Sequence, residues 1–109
     1  MCVPLPLKIF DILAPAIKGH TGVAREINFR PFIKVFTAYF GCTVEKRKSN
    51  LVKVSPPPGE HGVWYWNRVP FFVHKPLNGT LGRADLFRLQ KNFNDLYGWD
   101  RKTFVRGRD

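Results

Sequence analysis

Prolines and glycines cut this chain into short pieces, and that punctuation limits the fold more than any other feature. Pro4, Pro6 and Pro15 break the first apolar stretch, Gly19 and Gly22 flank a loop, and Pro31 and Gly41 bracket a second segment. Pro56, Pro57, Pro58 and Gly59 force an extended connection in the middle, and Pro70, Asn78-Gly79 and Gly98 divide the remainder. Proline removes a backbone donor and fixes φ, and glycine readily takes the left-handed conformation that ends a helix. Each helix or strand therefore has to fit between two such marks. A bilayer span needs about 20 apolar residues in a row, and no segment reaches that length. The residues from Val3 to Ile17 come nearest, but prolines interrupt them and Lys8 and Asp11 charge them. Their order reads neither as a secretory signal nor as an Arg- and Ser-rich presequence.

Within these limits the segments can be read in turn. Pro6 suits the first turn of a short helix that Pro15 ends. Leu7, Ile9, Phe10, Ile12 and Leu13 make it apolar on most sides, so it is expected to be buried or docked on a partner. Val23 to Phe29 is a strand or an irregular lead-in. After Pro31, the residues Phe32, Val35, Phe36, Tyr39 and Phe40 form one apolar helical stripe, closed by Gly41. Cys42 to Lys46 and Leu51 to Ser55 alternate and are rich in β-branched residues, and the polar turn between them predicts a hairpin. Val63 to Trp66 and Val69 to His74 read as strands, the second at an edge or bulge because of Pro70. Thr80 is the expected N-cap of a final helix running from Arg83. Its buried face is Leu86, Leu89, Phe93, Leu96 and Tyr97, with Asp85 complementing its N-terminus and Gly98 ending it. The expected class is α+β: about three helices, a small and mostly antiparallel sheet, and an extended basic C-terminal tail. As one domain it divides into an N-terminal docking segment (1–22), a core (23–98) and the tail (99–109).

Charge supplies the functional signal. Eighteen Lys and Arg face eight Asp and Glu, a formal net charge of +10 on 109 residues. Such a surface repels itself unless something negative lies against it, and nucleic acid is the commonest such partner. The candidate phosphate contacts are Arg25, Arg30, the run Lys46-Arg47-Lys48, Arg68, and Arg101, Lys102, Arg106 and Arg108 in the tail. A charge run is also what a merely solvated face looks like. Ten Phe, three Trp and three Tyr are many for a chain this short. They serve a phenylalanine-rich core or an interface. Trp64, Trp66 and Trp99 lie beside basic residues and are candidates for stacking on bases or for protein contacts. Alternation would instead put one face of Trp64-Tyr65-Trp66 in the core.

Catalytic and metal chemistry find little support. His20, His61 and His74 are scattered, and Cys2 and Cys42 have no partners at ligand spacing, so neither a zinc motif nor a disulfide framework is expected. Two unpaired cysteines fit a reducing compartment. Gly79 to Gly82 lacks the Walker lysine, and no nucleophile–base–orienter set occurs. Asn78-Gly79-Thr80 matches a glycosylation sequon, but a turn explains it better. The expectation is a non-enzyme with no cofactor, metal or small-molecule substrate.

Short, basic and aromatic, with a compact middle and clinging ends, the chain resembles the small ribosomal proteins of mitochondria and other organelles. That resemblance implies a structural constituent of a ribonucleoprotein on the matrix side, contacting rRNA and neighbouring ribosomal proteins. The alternative is an accessory, non-catalytic subunit of a mitochondrial inner-membrane complex, a respiratory complex or ATP synthase. There the N-terminal segment would pack on membrane subunits and the cations would meet acidic partners or anionic lipid.

Overall fold

Helix α3, Arg83–Tyr97, is the longest element of the computed structural model, which describes residues 2–20, 23–57 and 66–107. Leu86, Leu89 and Phe93 recur one turn apart and are buried, as their spacing requires. The helix stops at Gly98, whose φ of +72° costs a side chain-free residue little. There the Gly98 N–H reaches the Asn94 carbonyl at 2.9 Å and the Trp99 N–H reaches that of Phe93 at 3.3 Å. Its start differs from expectation. Gly82, not Thr80, is the N-cap, and the Asp85 carboxylate accepts the Gly82 N–H at 3.3 Å. Thr80 is instead drawn into strand β6, Thr80–Leu81, which pairs antiparallel with β2, Ile27–Asn28.

Two further helices reach α3 through the turns that follow them. Helix α1, Leu7–Leu13, runs into a tight turn at Ala14–Ala16, and the Gln90 side chain on α3 holds the Pro15 carbonyl at 2.9 Å. Helix α2, Phe29–Lys34, continues into a wider turn, Val35–Tyr39, closed by the Phe40 N–H on the Val35 carbonyl at 3.1 Å. A wider turn advances each residue by less than the ~100° of an α-helix. Tyr39 consequently lags behind the apolar stripe and is 43% exposed, whereas Phe32, Val35 and Phe36 stay buried.

The main sheet is antiparallel, in the order β3 (Thr43–Lys46), β4 (Leu51–Ser55), β5 (Phe71–His74). Its hairpin turns at Ser49 and Asn50, both with φ near +60°, where the Leu51 N–H meets the Lys48 carbonyl at 3.2 Å. Two left-handed residues in succession match the twist of paired strands. Val52, Val54, Phe71 and Val73 face the core, while Lys53 and Phe72, cross-strand partners, face outward. Pro70 precedes β5, an outer strand of this sheet, where its missing donor disrupts no ladder. Of the expected strand at Val63 to Trp66, residues 63–65 lie outside the described residues, and Trp66 is not in a strand.

The two ends of the described chain join each other. Strand β1, Val3–Leu5, runs parallel to β7, Phe104–Arg106, and the Gly107 N–H extends the ladder to the Leu5 carbonyl at 2.7 Å. Leu5, Phe10, Leu13, Ile17, Trp99 and Phe104 all belong to the same core as α2, α3 and the main sheet. The described residues of the segments read from sequence as docking piece and tail are thus parts of one packed unit. Among the described residues the result is an α+β fold with three helices and small, mostly antiparallel sheets.

An aromatic cluster fills the centre of that core. Phe36 is fully buried at its centre, with ring centroids of Phe71 at 4.9 Å, Phe32 at 5.1 Å, Phe40 at 5.8 Å and Phe93 at 5.9 Å. Cys42 is buried nearby, and burial pushes its thiol up to about 12, so it stays protonated and unreactive at neutral pH. Cys2 is exposed. Iodoacetamide is therefore expected to label Cys2 rapidly in the native protein and Cys42 only after denaturant is added. Equal native rates, read by mass spectrometry, would contradict this packing.

Candidate polyanion-binding surface

The hairpin and α2 bring basic residues from separate stretches onto one side of the molecule. Arg30 and Lys34, one turn apart on α2, Lys46 from β3 and Lys75 beyond β5 line a cleft of about 480 Å³. Its floor is Phe29, Ile33, Val44 and Val52, and no carboxylate is among its lining residues. The Lys75 N–H donates to the Asn50 carbonyl at 2.8 Å, which holds that residue against the hairpin turn. Lys46 also borders a broader, shallower hollow of about 720 Å³ with Arg47, Lys48, Leu51 and Phe72. Among the described residues only two ion pairs form, Arg47–Glu45 at 3.5 Å and Arg88–Asp85 at 3.3 Å. Most of the positive charge is left to solvent or to a partner.

A second group lies around the β7 end. Lys18, Arg101 and Lys102 line a hollow of about 200 Å³ with Gly19, Asn94 and Asp100. Asp100 shapes this turn: its carboxylate accepts the Lys102 N–H at 2.8 Å, and its own N–H reaches Thr103 Oγ1 at 3.0 Å. The stem of Arg101 covers Gly19, and the Arg106 guanidinium lies 5.2 Å from the centroid of the Phe10 ring. Arg25 and Arg68 are exposed and join neither group. Arg108 and Trp64 lie outside the described residues.

The two described tryptophans, Trp66 and Trp99, turn inward. Trp99 is 0% exposed, with Phe93 and Tyr97 at 4.9 Å and Phe104 at 5.0 Å, so no base can reach its face. Trp66 is half-buried, edge-on to Tyr97 and Trp99 at 4.9 Å and to Phe40 at 5.7 Å. Interior space is apolar, and the largest rings gain most by filling it. The exposed ring beside the cations is instead Phe72, 44% exposed and opposite Lys53 in the sheet. Phe71-Phe72 alternation in β5 forces one ring out once the other is in the core. That signal stood in the sequence. Lys34 and Lys75, also absent from the expected contacts, belong to no run of charge and converge only in three dimensions.

His20 packs edge-on against Phe10 at 5.1 Å, and its buried Nε2 has no hydrogen-bond partner. Burial lowers its pKa from 6.5, the Arg106 charge lowers it further, and Asp100 acts weakly the other way. The unfolded chain therefore binds this proton more readily than the folded one. Stability is expected to be full above the ordinary histidine pKa and to fall as pH drops below it, levelling off beneath the depressed folded value. Urea melts of His20→Gln should show a shallower acid decline than wild type; parallel declines would assign the effect elsewhere.

Among the described residues no group of three His, Cys, Asp or Glu could hold a metal ion, and no helix is long and apolar enough to cross a membrane. Compared with protein-family models, curated proteins and solved structures, the chain matches none of them.

Proposed function

We propose that the protein is a non-catalytic structural constituent of a ribonucleoprotein, in the mitochondrial ribosome, where its basic surface lies against rRNA. The observation that carries this reading is the hairpin surface. Lys46, Arg47 and Lys48 line one hollow with an exposed aromatic ring, Phe72, on an outer strand of the sheet, and the cross-strand row of that ring continues through Lys53 to Glu45. Cations track a phosphate backbone while an aromatic face accepts any base, which is the common chemistry of single-strand binding. The accessory-subunit alternative has less behind it. Its docking piece, the N-terminal segment, spends Leu5, Phe10, Leu13 and Ile17 on the chain's own core.

The test is titration of fluorescent single-stranded RNA across a range of salt. Several phosphate contacts predict a steep negative slope of log affinity against log salt, about −0.7 for each contact. Phe72→Ala should weaken binding by ~1–3 kcal/mol while leaving the thermal midpoint nearly unchanged. A slope near zero overturns the proposal.

A further inference from the structure

The cleft between α2 and the hairpin has a different chemistry from the hairpin surface beside it. Its floor offers Ile33 and Val44, both partly exposed, over the buried Phe29 and Val52, and it contributes no polar side chain. Its rim offers four cations, Arg30, Lys34, Lys46 and Lys75, none of which forms an ion pair among the described residues. A phosphate satisfies the rim but leaves the apolar floor wet. A nucleobase would cover the floor, and the rim cations would meet its acceptors, yet its own N–H donors would find no side-chain acceptor there, and an unpaired donor is costly to bury. Apolar side chains flanked by carboxylates satisfy both parts at once. A volume of about 480 Å³ accommodates a few such side chains.

We infer that this cleft is a docking site for an acidic, amphipathic segment of a protein partner, which sets leucine- or phenylalanine-sized anchors on Ile33 and Val44 and turns Asp or Glu towards Arg30, Lys34, Lys46 and Lys75. Charge complementarity selects the acidic partner, and the floor selects the apolar anchors. Arg30 and Lys34 are placed for this by their spacing on α2, one helical turn apart. The inference does not depend on RNA binding. It rests on the floor, which the phosphate contacts proposed above do not use; of the rim cations only Lys46 is shared with them.

The test is a titration of the isotope-labelled full chain, followed by amide NMR. The probe is a blocked synthetic peptide with leucines at i, i+3, i+4 and i+7 and glutamates elsewhere. Saturable shifts are expected at Ile33, Val44, Val52 and Lys75. A control peptide with glutamine in place of each leucine should bind at least tenfold more weakly, because it keeps the charge and loses the anchors. Lys34→Glu, an exposed position that leaves the fold intact, should lower affinity for the leucine peptide about tenfold, as should Ile33→Asp. Equal binding of the two peptides would reduce the site to nonspecific charge and overturn the inference. So would the absence of shifts at the floor residues. Oligouridylate moving the Val44 and Val52 signals as the peptide does would hand the cleft to RNA. If oligouridylate fails to bind anywhere while the peptide binds, the inference stands and the proposed function falls.

Discussion

Replacing Phe36 by alanine is expected to destabilise the protein by ~3–5 kcal/mol, the usual cost of emptying a fully buried phenylalanine site. The ring is 0% exposed and lies within about 6 Å, centroid to centroid, of Phe32, Phe40, Phe71 and Phe93. Those neighbours come from α2 and the turn after it, from β5 and from α3, so the cavity would open where helices and sheet meet. Relaxation into it is limited because rings move as rigid plates. Domains of this size hold only ~5–15 kcal/mol in all. The variant should therefore sit near the edge of folding, with its urea midpoint lowered by ~1–5 M at the slopes typical of small domains. Phe36→Leu should recover most of the loss. A midpoint shift too small to resolve would mean that the aromatic cluster does not carry the fold.

The second large effect belongs to the hairpin. Changing Lys46, Arg47 and Lys48 together to glutamine removes three potential phosphate contacts, so the salt slope for single-stranded RNA should become shallower by about 2. Affinity at low salt should fall at least tenfold. Folding should hardly notice. The side chains are exposed, and the single ion pair lost, Arg47–Glu45, is a half-exposed surface pair worth ~1 kcal/mol or less. Comparison with Arg101→Gln, Lys102→Gln separates the two basic groups. If the hairpin triple leaves the slope unchanged while the tail pair flattens it, RNA lies against the β7 end and not the hairpin.

What could be read from the chain beforehand follows the range of the interactions involved. Helix α3 announces itself through Leu86, Leu89 and Phe93 and through Gly98, because helical periodicity and its stop signal are local. The β3–β4 hairpin is equally local: β-branched alternation on both sides of a polar turn. Strands β1 and β7 are three residues long and have partners at the far end of the sequence, so no local pattern could betray them. The same holds for the two-residue strand β6, which took Thr80 away from its expected role as a cap. Charge behaves likewise. The run Lys46-Arg47-Lys48 was visible as a run, whereas Lys34 and Lys75 become part of one surface only when α2 packs beside the sheet. Trp99 misled for a physical reason: flanking cations in sequence say nothing about which way a ring points.

Because residues 3–5 pair with residues 104–106, the fold cannot finish in the order in which it is made. On an elongating chain Leu5 must wait without its cover until Arg106 has cleared the exit tunnel. Throughout that interval an apolar strand edge stands open to other nascent chains. Newly made protein should therefore linger with chaperones until this late zipping step, and faster unfolding with little change in refolding rate in Phe104→Ala would be its laboratory trace.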